Sequence, residues 1–437
     1  MMQTKIQSFI SKWRSGRLFR NIAYSVFDFT VFTLLTLVST PLLISKMGAE
    51  SYGLWVTSLS FLGLAGFIDM GTGAAVLKYV AEFVEKKDIE NISLLVSVAY
   101  ILNFGLGILG VVGFSVFTPV IAANFGQKVS SQQEIIILLQ VLRWGVIPLM
   151  IDSVSLGIIR GYQVYRISSI ISSAQNIINI LIVMLIAYMG GSIKDILAVT
   201  VTLKWIWASM ILLFVLWMLH KDGAYFQTSF DMFKKILGFS LYAGATSIGI
   251  KIFSFADRLT VAYMLGFTAS GYYSIATGIA NRFANLSSTL TQASMPAFSA
   301  WQVNLSKNEI WNRLMRLTAI VGMVTIIPGL FLLIFSRVFL NFWLGTDVGE
   351  AVNPIMQILV FIYMIRPLSA PSYQALLGLG HPWATALTAM AGGLGTILLI
   401  ILLSPHFGII GAAWANIVGW VSFGLIGIAW YYLKFRA

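Results

Sequence analysis

Six basic side chains stand where the core of a bilayer would be. Arg143, Lys204, Lys251, Arg258, Arg282 and Arg366 each fall inside a long apolar stretch. A cation at membrane depth costs about 2.5–3.5 kcal/mol. Six of them facing lipid would cost more than an ordinary fold is stable, so most must face a polar, watery interior. Spacing supports this. Ser240, Gly244, Ser247, Lys251, Ser254 and Arg258 step by 4, 3, 4, 3 and 4, which is one face of a helix. Gly278, Arg282, Asn285, Thr289 and Gln292 form a second stripe, with Asn281 and Ser288 beside it. Ser169, Ser172, Asn176 and Asn179 form a third. A guanidinium is a planar fork matched to phosphate oxygens, and a positive, partly dehydrated cavity attracts anions strongly. Lys251, Arg258, Arg282, Arg366, Arg143, Lys204, Asn285 and Gln292 are therefore expected to bind an anionic substrate. Arg143 and Lys204 lie nearer a span end, where reaching for the interface competes with lining a cavity. Acids are fewer. Asp28, in the first span, is a candidate for coupling transport to H+ or Na+, or a local partner for a buried cation. Asp69 and Asp152 lie near span ends and read as structural.

The elements that carry these residues are apolar helices. Hydrophobic residues make up 58% of the 437-residue chain, charged residues 10%, and the mean hydropathy is +0.87. An average soluble domain is roughly 25% charged. A water-soluble enzyme is excluded by that arithmetic, and a disordered chain with it. In lipid the backbone must satisfy itself within each segment, so the expected fold is all-α and polytopic. Stretches of about 20 residues can cross, and twelve are read: 22–44, 54–76, 93–117, 135–158, 168–189, 196–219, 237–262, 271–297, 315–336, 353–376, 383–403 and 408–433. They use nearly the whole chain and leave no room for a soluble catalytic domain. Cysteine is absent, so there is no disulfide, thiolate metal site or Cys nucleophile.

Charge orients the spans. Of the 28 cations, eighteen lie on the side of the N-terminus, four on the other side and six within spans. The positive-inside rule then places both termini in the cytoplasm. The net charge of +12 thus describes topology, and no nucleic-acid partner is expected. Ile6, Phe9, Ile10 and Trp13 share a helical face, with Lys5, Lys12 and Arg14 elsewhere, as in an interfacial helix. Phe226, Phe230 and Phe233 beside Lys234 and Lys235 repeat the device.

The chain also repeats itself. Met47 to Trp55 and Leu265 to Tyr273 both read Gly-x4-Gly followed by a large residue and an aromatic, at an offset of 218 residues. A glycine there allows a tight turn with positive φ. Two halves, 1–225 and 226–437, each begin with an amphipathic basic segment and hold six spans. Repeats of equal span number and orientation imply two six-helix lobes related by a pseudo-two-fold axis along the membrane normal.

The sequence resembles the multidrug/oligosaccharidyl-lipid/polysaccharide exporter superfamily, and within it the Wzx-type O-antigen and capsule repeat-unit flippases. The resemblance rests on the two six-span halves, Pro41 to Trp55 with Gly48 and Gly53, Asp69-Met-Gly71-Thr-Gly73 leading to Lys78 and Tyr79, and Asp257 to Tyr273. It implies a V-shaped pair of lobes around a central cavity and alternating access. It also implies an undecaprenyl-diphosphate-linked oligosaccharide as substrate, moved from the cytoplasmic to the periplasmic leaflet of a bacterial inner membrane. Membrane lipids, a polymerase and other glycan-assembly proteins are the implied partners. Related drug exporters couple through an N-lobe carboxylate, and Asp28 is the nearest candidate.

Several motifs read as packing. Gly105-Leu-Gly107-Ile-Leu-Gly110 sits inside an apolar span without a strand or ribose-binding acid. Gly411, Ala415 and Gly419 form a small-residue face. His220, His381 and His406 are scattered, so no metal site is expected, and no cofactor. A drug/cation antiporter of the same superfamily would favour an acidic lumen. A membrane enzyme of glycan assembly would need a large outer loop, and the outer loops here are short.

Overall fold

The computed structural model describes residues 2–69, 71–125, 132–238, 240, 255–291 and 294–434. Secondary structure among them is entirely helical. The elements are α1 (Met2–Ala65), α2 (Thr72–Glu85), α3 (Ile89–Phe125), α4 (Gln132–Leu142), α5 (Val146–Gly161), α6 (Tyr165–Tyr188), α7 (Ile193–Lys221) and α8 (230–238). They continue with α9 (Asp257–Leu265), α10 (Phe267–Thr291), α11 (Ser294–Asn304), α12 (Lys307–Leu344), α13 (Thr346–Ile365), α14 (Ala370–Gly378), α15 (Pro382–Ala415) and α16 (Gly424–Lys434). Seven segments among the described residues are long and apolar enough to cross a membrane. On α12, Met323, Ile327, Phe331, Ile334, Val338 and Phe342 form one stripe, 64–92% exposed. So wide an apolar stripe belongs against hydrocarbon.

Among the described residues, four of the expected spans are interrupted. The stretch 54–76 ends its first helix at Ala65, turns, and restarts at Thr72 behind Gly71, whose φ is 77°. The Thr72 hydroxyl sits between the Asp69 carboxylate and Asn103 Oδ1, 2.8 Å away, pinning this turn to α3. The stretches 135–158, 353–376 and 408–433 each contain a 3-10 segment: Arg143–Gly145, Arg366–Ser369 and Asn416–Phe423. Such segments loosen the helical ladder and free carbonyls, which in lipid must find other donors. They do. Trp205 Nε1 donates to the Trp144 carbonyl at 2.9 Å and Thr325 to Met364 at 2.9 Å, while Trp420 Nε1 adds a bond at 3.2 Å to the Ile362 carbonyl, which also accepts the Arg366 N–H.

The two glycine turns adopt nearly the same backbone. Gly48 has φ 80° and ψ 161°, and Gly266 has φ 89° and ψ 174°. Gly48 breaks α1 without ending it. The second glycine of each pair does a different job. Gly53 and Gly271 face each other, and a Cβ added to Gly271 would lie 3.2 Å from Gly53 Cα and 2.8 Å from the Ala49 carbonyl oxygen. Around them α1 packs along α10, the Thr57 and Ser270 hydroxyls meet at 2.9 Å, and Trp343 Nε1 on α12 donates to the Leu37 carbonyl at 2.6 Å. The largest buried apolar cluster spans this junction, with Leu43, Tyr52, Tyr273, Val352 and Tyr363 among its members.

The segment after α7 docks on the N-terminal half. Backbone N–H groups of Tyr225 and Gln227 donate to Ser93 and Ser97 on α3 at 3.1 and 3.2 Å. Met232 and Ile236 of α8 are buried with Val80, Phe83 and Leu95. The sequence boundary at 225/226 therefore separates residues that pack together.

Candidate functional site

Arg366 is the best-defined of the expected cationic residues. It opens the 3-10 segment before Pro367, which has no N–H to continue the ladder. Its side chain lies on the bare backbone of Gly419, where an added Cβ would come within 3.2 Å of Cδ and Nε. Gly419, expected to pack helix on helix, thus packs against an arginine. The guanidinium sits 5.4 Å from the Tyr363 ring centre. Beyond it opens a cavity of about 380 Å3, lined by Arg366, Asn281, Asn285, Ser288, Tyr373 and Gln374 with other small polar residues. No carboxylate lines it among the described residues.

Arg282 serves a second space. A cavity of about 250 Å3 lies between α1, α10 and α12, lined by Arg282, Gly278, Thr33, Thr36, Thr40 and Tyr52, with apolar neighbours. The stripe expected on α10 therefore divides. Gly278 and Arg282 look toward α1, whereas Asn281, Asn285 and Ser288 look toward Arg366. Positions three apart differ by only about 60° around a helix of 3.6 residues per turn, so one broad stripe can serve two cavities.

Arg258, on α9, is in the described lining of neither cavity. It is within electrostatic reach of Tyr52 and of Tyr363, and its Nε is buried with no hydrogen-bond partner among the described residues. Lys251 and Gln292 lie outside the described residues, as does the side chain of Asp28.

The N-terminal cations stand apart from this set. Arg143 Nη1 donates to Ser115 on α3 at 3.0 Å, and its guanidinium lies 5.3 Å from the Trp144 ring centre. Lys204, half-buried on α7, lies within electrostatic reach of Asp152 on α5. One Asp152 oxygen is buried with no partner among the described residues. Two ion pairs, Lys86–Glu82 and Arg337–Glu350, occur among the described residues. Neither involves an expected site cation.

Sequence reasoning missed a buried polar chain in the C-terminal half. The Tyr363 hydroxyl donates to Asn416 Oδ1 at 3.3 Å. Asn416 Nδ2 donates to the Tyr273 hydroxyl at 2.7 Å. Tyr273 in turn donates to Asp257 Oδ2 at 3.2 Å, while Asp257 Oδ1 accepts the backbone N–H of Arg258 at 2.7 Å. These residues come from α9, α10, α13 and the Asn416–Phe423 segment. A lone Asn in a 26-residue apolar stretch was the only available signal.

Residues 47–353 match the family described as polysaccharide biosynthesis protein. The chain belongs to that family. Other likenesses agree. A Shigella flexneri protein named "Putative O-antigen transporter" is 18% identical over 394 residues, covering 90% of this chain and 93% of that protein. Among solved structures, an inward-facing multidrug resistance MATE family transporter of the MOP superfamily superposes with a TM-score of 0.75 at 13% identity, covering 95% of this chain and 98% of that one. The lipid II flippase MurJ, in an inward closed conformation, gives 0.70 at 17% identity over 93% and 87%. At such identities the structures establish the fold. The chain therefore has the all-helical fold of those transporters, and its family match fits the polysaccharide branch that the sequence resembles.

Proposed function

We propose that the protein is a flippase for an undecaprenyl-diphosphate-linked oligosaccharide, an O-antigen or capsule repeat unit. It carries the head group from the cytoplasmic to the periplasmic leaflet of a bacterial inner membrane by alternating access. The observation that carries this reading is the pair of cavities holding Arg366 and Arg282, without a carboxylate among their described linings. Such cavities suit a phosphorylated, sugar-bearing head group better than a cationic drug. Arginine forks bind the phosphate oxygens, and the Asn, Ser, Thr and Gln side chains around Arg366 offer donors and acceptors to sugar hydroxyls. The polyprenyl tail stays in the bilayer. The names of the Shigella relative and of the lipid II flippase support the same substrate class.

In this reading the chain has twelve spans in two six-helix lobes about an axis along the membrane normal, with both termini cytoplasmic. The matching Gly48 and Gly266 turns support that repeat, and the Gly53–Gly271 contact becomes the periplasmic seal. Lys251, Arg258, Asn285 and Gln292 extend the binding surface. Arg143 and Lys204 supply positive potential from the N-lobe. Asp28 couples the return step to H+ or Na+. The protein transports its substrate and does not change it chemically.

The test is complementation of a flippase-deficient strain. Arg366→Ala and Arg282→Ala should each abolish surface glycan while the protein still reaches the membrane. Normal glycan with both variants would refute the reading.

A further inference from the structure

A cleft of about 540 Å3 lies between α3 and α7. Both helices pack on α5, whose Ile151 completes the lining. All three belong to segments long and apolar enough to cross a membrane. The chain leaving α7 turns at Gly223, with φ 80°, and crosses to α3, where the Tyr225 and Gln227 N–H groups donate to Ser93 and Ser97. Residues 224–226 of this strap line the cleft as well. Among the described linings, the cleft shares no helix with the Arg366 and Arg282 cavities. Its occupant is therefore separate from the substrate bound there.

The wall says what kind of occupant fits. Tyr100 shares a hydrogen bond of 2.8 Å with Ser155, and Ser93 and Ser97 accept from the strap, so these polar groups are engaged. Apart from His220 and Tyr225, the rest of the wall is apolar. Water needs several polar partners to stay in a cavity, and an empty cleft forfeits packing contacts along every wall. Ile101 and Phe104 on α3 and Leu216 on α7 are half-exposed and open its side to the surroundings. For a helix that crosses a bilayer those surroundings are hydrocarbon.

Charge at the strap end selects the head group. His220 is part of the lining, and Lys221 beside it holds its ammonium 5.6 Å from the ring centre of the exposed Trp217. Asp222, the acid of the same turn, lies within electrostatic reach of Tyr162. Tyr225 and Phe226, both exposed, stand at this end as aromatic residues do at head-group level. We infer that the cleft between α3 and α7 is a binding site for one acyl chain of an anionic phospholipid, with the head group beside Lys221 and His220. The chain packs against residues 224–226 and so supports the strap that leads from α7 to α8 across α3.

Photolabelling of wild-type protein tests the site without any substitution. In nanodiscs containing phosphatidylglycerol with a diazirine in its acyl chain, label should concentrate at Ile101, Phe104 and Leu216. The exposed stripe of α12 around Ile327 reports ordinary boundary lipid, and labelling there as strong as in the cleft would overturn the site. Native mass spectrometry gives the second readout. Wild-type protein should retain one phosphatidylglycerol in preference to phosphatidylcholine of the same chains. Ile101→Trp combined with Leu216→Trp, which fills the cleft, should lose that adduct, whereas Ile327→Trp should keep it. Lys221→Ala should cut the preference for phosphatidylglycerol about fivefold, the weight of one lysine beside an anionic lipid surface. Retention of the adduct by the filled cleft would overturn the site, and an undiminished preference in Lys221→Ala would overturn the head-group assignment. Displacement of the adduct by undecaprenyl phosphate would assign the cleft to a polyprenyl chain and overturn the phospholipid reading. None of these readouts depends on flipping, so the proposed function stands or falls separately.

Discussion

Gly53 and Gly271 meet backbone to backbone, and neither position has room for a methyl group. A Cβ on Gly53 would collide with the Phe267 carbonyl, and one on Gly271 would press on the Ala49 carbonyl. Backbone atoms cannot step aside as a side-chain tip can, so α1 and α10 would have to part. Gly53→Ala and Gly271→Ala should each cost about 1–3 kcal/mol, the usual range for overpacking, and should open this end of the junction. Labelling a cysteine placed at Tyr52, 7% exposed, checks it, because the natural chain has no cysteine to interfere. Faster labelling in either glycine variant is expected, and unchanged labelling would show that the contact does not seal.

The same junction can be locked. Thr57 Oγ1 and Ser270 Oγ approach to 2.9 Å between sequence positions 213 apart, close enough for sulfur atoms in their place to bond after a small adjustment. Thr57→Cys combined with Ser270→Cys should cross-link under oxidation, slow the band on a non-reducing gel and abolish surface glycan, with recovery on reduction. A cross-linked protein that still supports full glycan would mean that this junction need not open.

Acid should loosen the start of α3. Asp88 accepts the backbone N–H of Asn91 at 3.1 Å and its amide at 2.6 Å. Those bonds, the side-chain one first, hold its carboxyl below the usual carboxylate range. A depressed carboxyl stabilises the folded state above its unfolded pKa, and that contribution is lost as the pH falls through the folded value. Amide exchange in residues 89–93 should therefore quicken on acidification. Asp88→Asn, which keeps a good capping side chain, should remove that dependence. Equal acid sensitivity in the variant would exclude the cap as its source.

Much of this architecture is legible in residue types. Apolar length and charge asymmetry identify a helical membrane protein, and Gly48 and Gly266 take the positive φ their spacing suggests. Arg282 and Arg366 both reach cavities, as cations too costly to leave in lipid must. What is not legible has a common cause. The breaks at Arg143, Arg366 and Asn416 leave average hydropathy unchanged, so an apolar window reads straight through them. Gly53 looked like the far end of a turn, but its role depends on a partner 218 residues away. Tyr273, Tyr363 and Asn416 follow no helical period together, because each comes from a different element. The nearness of Lys204 to Asp152 likewise depends on how α5 meets α7. Residues at 241–254, including Lys251, and Gln292 lie outside the described structure, so the stripes there stand as expectations from sequence.

The central claim is that Arg282 and Arg366 together receive the phosphorylated head group. The most direct measurement is flipping of an undecaprenyl-diphosphate-linked oligosaccharide in proteoliposomes, read by enzymatic access to the sugar from one side. Wild-type protein should move the head group across, and Arg282→Ala combined with Arg366→Ala should fall to the protein-free rate while remaining folded. Flipping at the wild-type rate by that double variant would contradict the claim.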